Sequence, residues 1–139
     1  MRSGLFQFGR FQLSSGQASS WKIDCESLSD SDIDTLAYLV AGMVAPFDRV
    51  VSVPTGGDRL ARKLCEVARM YQPGMRPVPY RHLIVDDVLT TGGSMERNRE
   101  AIRLSCPPTD LVQGAVLFAR GPCPDWVIPL FRMPECFYA

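Results

Sequence analysis

The residues richest in chemistry stand together in LIVDDVLTTGGSM, Leu83 to Met95. Three apolar residues run into Asp86 and Asp87, and a loop of small hydroxyls and glycines follows. Adjacent carboxylates repel each other, and neither belongs in a core without a partner. Glycines let backbone N–H groups converge on one point, and the hydroxyls of Thr90, Thr91 and Ser94 add donors. The run Thr90, Thr91, Gly92, Gly93, Ser94 ahead of a helix is therefore a phosphate site on physical grounds. Hydrogen bonds to a charged group contribute on the order of 1.5–3 kcal/mol each, so such a site needs no lysine. The plainer reading is a turn with an N-cap. The acid pair weighs against it, because two carboxylates beside a phosphate suit the hydroxyls of a sugar, with Mg²⁺ nearby to offset the charge. Side chains alternate along a strand, so both acids can serve one ligand only where the strand is ending.

PTGGDR, Pro54 to Arg59, is a second loop of this kind. It lacks the Lys-Ser/Thr ending of a nucleoside-triphosphate loop. Its plain reading is a strand-to-helix turn. Its sharper reading is an anion loop built from the N–H groups of Thr55, Gly56 and Gly57, with Arg59 nearby. Two anion loops flanking a diol-binding acid pair fit a sugar phosphorylated at both ends.

The elements that must hold these loops are legible from periodicity. Phe6, Phe8, Phe11 and Leu13 alternate around Gly9, which predicts a short hairpin or bent strand, and Ser14 to Ser20 reads as a polar loop. SLSDSDIDTLAYLVAGMV predicts a helix capped by Ser29 or Ser31, with Ile33, Leu36, Ala37, Val40 and Val44 on one face, stopped by Pro46. Arg49 to Pro54 is a β-branched buried strand. A second helix runs from Asp58 to about Met70, a proline-rich loop follows, and Arg81 to Asp86 is the strand that delivers the acids. Ser94 to Leu104 reads as a helix that Ser94 could cap. Leu111 to Ala119 is a strand, and Trp126 to Phe131 is a last strand, interrupted by proline and hence at an edge. The alternation predicts an α/β fold: a mainly parallel sheet flanked by helices, with right-handed crossovers and a small N-terminal β hairpin. Ligands of such sheets sit at the carboxyl ends of the strands, where both loops fall.

Composition narrows the classes. A length of 139 residues predicts one domain, with an N-terminal segment over 1–28 and an α/β core over 29–139. Formal net charge is zero, which offers no basic surface to nucleic acid and no basic face to a membrane. No apolar run approaches the ~20 residues of a membrane span, and the N-terminus does not read as a secretory signal. Five cysteines without a CxxC pair predict a reducing, cytoplasmic setting rather than a disulfide scaffold or zinc site. His82 is the one histidine and opens an apolar run, so it reads as a strand-end residue rather than a catalytic base. Lysines are scarce, Lys22 and Lys63 alone.

VPYRHLIVDDVLTTGGSM resembles the phosphoribosyl-pyrophosphate (PRPP) signature of the type I phosphoribosyltransferases: apolar strand, two acids, then a threonine- and glycine-rich loop. The resemblance implies that Asp86 and Asp87 hold the ribose 2′- and 3′-hydroxyls and that Thr90 to Ser94 cradle the 5′-phosphate. VPTGGDRLA is similar to the family's pyrophosphate loop. FQLSSGQASSWKID resembles the N-terminal segment of orotate phosphoribosyltransferases, which makes Ser15, Gly16, Ser19 and Lys22 base-side candidates. Trp21 and Trp126 read as packing residues. In its brevity the chain is similar to small phosphoribosyltransferase-like proteins of bacteriophages. The family implies Mg²⁺ carried with PRPP rather than held in a protein cage, small-molecule substrates (PRPP and a nucleobase, on the favoured reading a pyrimidine such as orotate), and a homodimer.

The sequence also departs from that family. Orotate enzymes carry a long mobile loop with a lysine before the signature strand, and here the interval is YQPGMRPVPY, with Arg76 and Arg81 as its nearby cations. PRPP binding is therefore better supported than catalysis, and a non-catalytic PRPP- or nucleotide-binding module remains an alternative. So does a purine-directed enzyme, with WVIPLF lining its base pocket. LIVDDV also resembles the acid pocket of phospho-acceptor receiver domains, but those need a lysine late in the fold and none follows Lys63.

Overall fold

The structure is a computed structural model that describes residues 4–13, 16–71 and 77–133. Strand β1 (Phe6–Gln12) and strand β2 (Ala18–Ile23) form an antiparallel hairpin. Gly9 is not a turn: the strand continues through it with a register shift between Phe8 and Phe11. Ala18 to Ser20, expected to be loop, are strand residues. Their small polar side chains gave no alternation to read, and pairing with β1 decides the matter.

Helix α1 (Asp30–Met43) begins at Ser29, whose side chain accepts from the Asp32 N–H while Asp32 accepts from the Ser29 N–H. This reciprocal cap satisfies two of the donors that a helix start leaves open. Strand β3 (Arg49–Ser52), helix α2 (Asp58–Tyr71), strand β4 (Arg81–Leu89), helix α3 (Gly93–Ser105), strand β5 (Leu111–Ala119) and strand β6 (Val127–Arg132) follow. The four later strands form one parallel sheet in the order β3-β4-β5-β6. Pro129 lies in β6, an edge strand, where its missing N–H costs no ladder bond to a further neighbour.

Both faces of the sheet are covered, which is why the central strands read as unbroken apolar runs. Leu83, Val85, Ala115 and Leu117 pack toward α1 and α2 with Ile33, Ala37, Leu60 and Leu64. Ile84 and Val116 pack on the other face with Met95 and Ile102 of α3. The hairpin is tied to the first face through Phe6, whose ring meets Phe118 edge-on.

Two expectations are corrected here. β4 does not end at Asp86 but pairs with β5 through Val88 and Leu89. Alternation is therefore preserved across the acids, which diverge into neighbouring cavities and can share a ligand only where it bridges the two. Ser94 does not cap α3 either. The cap is Gly92, at φ 85°, and it provides no side-chain hydrogen bond. A left-handed cap suits glycine, and the first N–H of the helix, that of Gly93, donates to Thr91 Oγ1 at 3.5 Å.

Candidate active site

The carboxyl ends of β3, β4, β5 and β6 carry the site. Asp86 lies on the α3 side, in a cavity of about 190 Å³ that it lines with the run from Thr90 to Ser94. Arg97, not foreseen from the sequence, completes this cavity and donates to Ser94 Oγ at 3.0 Å. Its signal was its place one helical turn after Ser94. Uncapped helix N–H groups, the α3 dipole and a guanidinium together make an anion site.

Asp87 lies on the other side, in a cavity of about 410 Å³ with Thr55, Gly56, Arg59 and Lys22. The pyrophosphate-type loop is pressed onto the end of β4. A Cβ on Gly56 would stand 2.5 Å from Asp87 Oδ1, and one on Gly57 would stand 2.5 Å from Val85 O. At Gly57 the neighbour is backbone, so only glycine permits that approach. The Gly57 N–H donates to Val53 O at 3.0 Å, so of the three N–H groups expected to face an anion this one is already used. Arg59 is similarly engaged, donating to Leu28 O at 2.9 Å and pairing with Asp30 at 3.0 Å. Its visible work is to tie α2 to the segment before α1.

The acids also shape each other's electrostatics. Asp86 Oδ1 accepts from the Asp87 N–H at 2.8 Å, and Asp87 Oδ1 accepts from the Val88 N–H at 2.7 Å. Burial, then a hydrogen bond and charge repulsion from Asp87, push the Asp86 carboxyl up to about 8. Cys25 lines the cavity of Asp87, but burial and the nearby acids Asp87, Asp24 and Asp86 push its thiol up to about 12, so it is no nucleophile.

A third cavity, of about 630 Å³, opens between the hairpin and the ends of β5 and β6. Thr90 lines it as well as the Asp86 cavity, so the two are neighbours. Ser19 faces it, Gly16 is exposed outside its lining, and Ser15 lies outside the described residues. Lys22 faces the Asp87 cavity instead, with its ammonium 5.0 Å from the Phe11 ring centre. Arg120, at the end of β5, was missed by sequence reasoning. It donates to Trp21 O at 3.2 Å and to Ser19 Oγ at 2.8 Å, and its guanidinium lies 3.6 Å from the Trp21 ring centre. Trp21 is thus a packing residue. So is Trp126, which donates to Glu96 at 2.8 Å and lies under Arg99. His82 sits at the opposite end of β4, buried, with Nε2 2.8 Å from Asp110 Oδ2.

No family model matches the chain. It is 30% identical over 132 residues to the orotate phosphoribosyltransferase of Cenarchaeum symbiosum (strain A), covering 73% of this chain and 62% of that one. The chain thus spans less than two thirds of the length of this curated relative. Among solved structures, orotate phosphoribosyltransferase from Aeropyrum pernix aligns at 31% identity with a TM-score of 0.67, over 84% of this chain and 76% of that chain. The chain belongs to the type I phosphoribosyltransferases. Purine phosphoribosyltransferase from Pyrococcus horikoshii Ot3, at 22% identity and a TM-score of 0.58, shares the fold.

As a phosphoribosyltransferase this chain has a short passage from α2, which ends at Tyr71, to β4, which starts at Arg81. Residues 72–76, with Arg76, lie outside the described ones. Among the described residues, the three-membered group able to ligate a metal is His82, Cys106 and Asp110, at the far end of the sheet. Asp86 and Asp87 form no such cage. They do bring two carboxylates to the linings of two cavities at the end of β4, and this donor set fits a divalent ion that arrives with a phosphorylated ligand.

Proposed function

We propose that the chain binds PRPP and transfers its 5-phosphoribosyl group to a nucleobase, a pyrimidine such as orotate, with release of pyrophosphate. The observation that carries this reading is the meeting of two anion loops on the two acids at the end of β4, beside a cavity that has two arginines and no acid among its described lining residues. In this reading Thr90, Thr91, Gly92, Gly93, Ser94 and Arg97 hold the 5′-phosphate. Thr55, Gly56 and Lys22 face the pyrophosphate, and Gly57 sets the loop's depth. Asp86 and Asp87 accept hydrogen bonds from the ribose hydroxyls. Ser19 and Arg120 shape the base cavity. Mg²⁺, when bound with PRPP, would neutralise diphosphate charge next to the acids.

The C1–oxygen bond to pyrophosphate breaks and a C1–nitrogen bond to the base forms. No side chain has to act as a nucleophile. The protein's part is to fix the two reactants and to stabilise charge as it separates. The two acids would stabilise positive charge building on the ribose. The test is calorimetric titration of PRPP with and without Mg²⁺ on wild type and on Asp86→Asn/Asp87→Asn, followed by an orotate-consumption assay. Mg²⁺-assisted binding lost in the double variant is the expected result. No binding to wild type at millimolar PRPP would overturn the reading. Binding without turnover on any base would leave a PRPP-binding module.

A further inference from the structure

We infer that His82, Cys106 and Asp110 form a binding site for a divalent transition-metal ion of the zinc class, at the amino end of the sheet. One nitrogen, one sulfur and one oxygen ligand atom of these side chains lie within 4.8 Å of one another. This end is opposite the acids and the anion loops, so the inference does not rest on the proposed function.

The fold brings the three together from separate elements. His82 is the second residue of β4. Cys106 caps the end of α3, its N–H donating to Ile102 O at 2.9 Å. The chain then turns through Pro107 and Pro108, with the Asp110 N–H on Pro107 O at 3.0 Å, and β5 sets off beside β4. Both ligands of the turn are thereby laid against His82. The side chains of His82 and Asp110 are 1% and 3% exposed, while Cys106 is half-buried and gives a path from solvent. A carboxylate and a thiolate together carry two negative charges, which a divalent ion cancels. Mixed nitrogen, sulfur and oxygen donors suit zinc or cobalt, whereas Mg²⁺ takes oxygen alone. Tetrahedral donors about 2.0–2.3 Å from zinc stand about 3.3–3.6 Å apart. The His82–Asp110 contact of 2.8 Å would open by about half an ångström, and no pair would close by much more than about 1 Å.

Protons set the terms of binding. Arg49 Nη1 lies 3.4 Å from His82 Nδ1, and a guanidinium only donates, so the ring proton belongs on Nε2, facing Asp110. A metal on Nε2 moves that proton to Nδ1 and turns the exposed Arg49 into solvent. The Cys106 S–H bond breaks, its proton leaves to water, and the thiolate binds the ion.

The experiment titrates Co²⁺ alone into the ligand-free wild type, Cys106→Ser, Asp110→Asn and Cys65→Ser. Wild type is expected to bind one equivalent with a thiolate-to-cobalt charge-transfer band and the intense visible bands of a four-coordinate ion. Zn²⁺ should displace it and excess Mg²⁺ should not. The charge-transfer band should vanish in Cys106→Ser, persist in Cys65→Ser, and form about tenfold more weakly or worse in Asp110→Asn. Excess Zn²⁺ should raise the thermal midpoint of wild type by about 5 °C or more, and that of Cys106→Ser much less. No charge-transfer band in wild type, displacement by Mg²⁺, or a band that survives in Cys106→Ser overturns the inference. Should Cys106→Ser fail to fold by circular dichroism, alkylation of wild type decides. Zn²⁺ is expected to slow iodoacetamide modification of Cys106 and not of Cys65, read by mass spectrometry, and equal rates at Cys106 with and without Zn²⁺ overturn the site.

Discussion

Asp86 holds a proton at pH values where an exposed aspartate has lost it. Burial and its neighbour Asp87 raise the carboxyl to about 8 from an ordinary 3.8. Between those values the folded state binds more protons than the unfolded state, so stability falls as pH rises through that window and levels off above it. Thermal unfolding of the ligand-free protein is expected to show a midpoint lower at pH 8 than at pH 5, by about 10 °C, in excess of any change in Asp86→Asn. Equal pH slopes in the two proteins would sink this account. Gly56 and Gly57 make a second residue-scale contrast. A methyl on Gly57 would meet backbone, Val85 O at 2.5 Å and Val53 O at 3.0 Å, which cannot move cheaply. Gly57→Ala is expected to cost about 2 kcal/mol or more in denaturant unfolding. The nearest atoms to a methyl on Gly56 would be those of the Asp87 carboxylate, a side-chain end that can swing away. Gly56→Ala should therefore fold nearly normally and bind PRPP about tenfold more weakly, because it displaces an acid from the site. Both glycines were legible in the sequence as loop residues. Their separate tasks were not, since a pattern of TGG does not say which glycine faces a strand and which a carboxylate.

Elements determine which residues can cooperate, and here local pattern read some boundaries better than others. The capping box at Ser29 was visible because its partners are three residues apart. Ser29→Ala is expected to lower global stability by about 1 kcal/mol and to leave PRPP affinity unchanged, read by denaturant unfolding and calorimetry on the same protein. An affinity loss would mean that α1 communicates with the loop through Arg59 and Asp30. The extension of β4 through Leu89 was hidden because Val88 and Leu89 sit between acids and a glycine loop, and only pairing with Phe118 and Ala119 makes them strand. That extension has a chemical consequence: it directs Asp86 to the run from Thr90 to Ser94 and Asp87 to the loop of Thr55 and Gly56. Arg120 was also hidden. A lone arginine after an apolar run carries no local signal, although its place at the carboxyl end of β5 put it on the edge where ligands bind.

Across the whole molecule, polar groups gather at the two ends of the sheet and do different work. At the amino end, Asp48 pairs with a partly exposed Arg81 at 3.1 Å and a buried His82 meets Asp110, both close to where strands begin. At the carboxyl end the acids, the loops and the cavities converge. Fold and site edge were legible because strand and helix alternate and both loops follow strands. The division of the site into three cavities was not, because it depends on how the hairpin seats on β5. This seating also bears on the short passage between α2 and β4. On the proposed function, negative charge on the departing pyrophosphate would need stabilising, and Lys22 is the described lysine that β2 delivers into the cavity of Thr55, Gly56 and Asp87. Charge on the leaving oxygen grows toward the transition state, so a cation there acts more on kcat than on ground-state binding. Lys22→Gln is therefore expected to lower kcat by about 10²-fold while PRPP affinity changes less than tenfold, measured by steady-state orotate turnover and by calorimetry. The opposite pattern, an unchanged kcat with a raised KM for the base, would return Lys22 to the base side where its sequence neighbourhood first placed it. It would then leave the leaving group to the loop N–H groups and the metal that travels with PRPP.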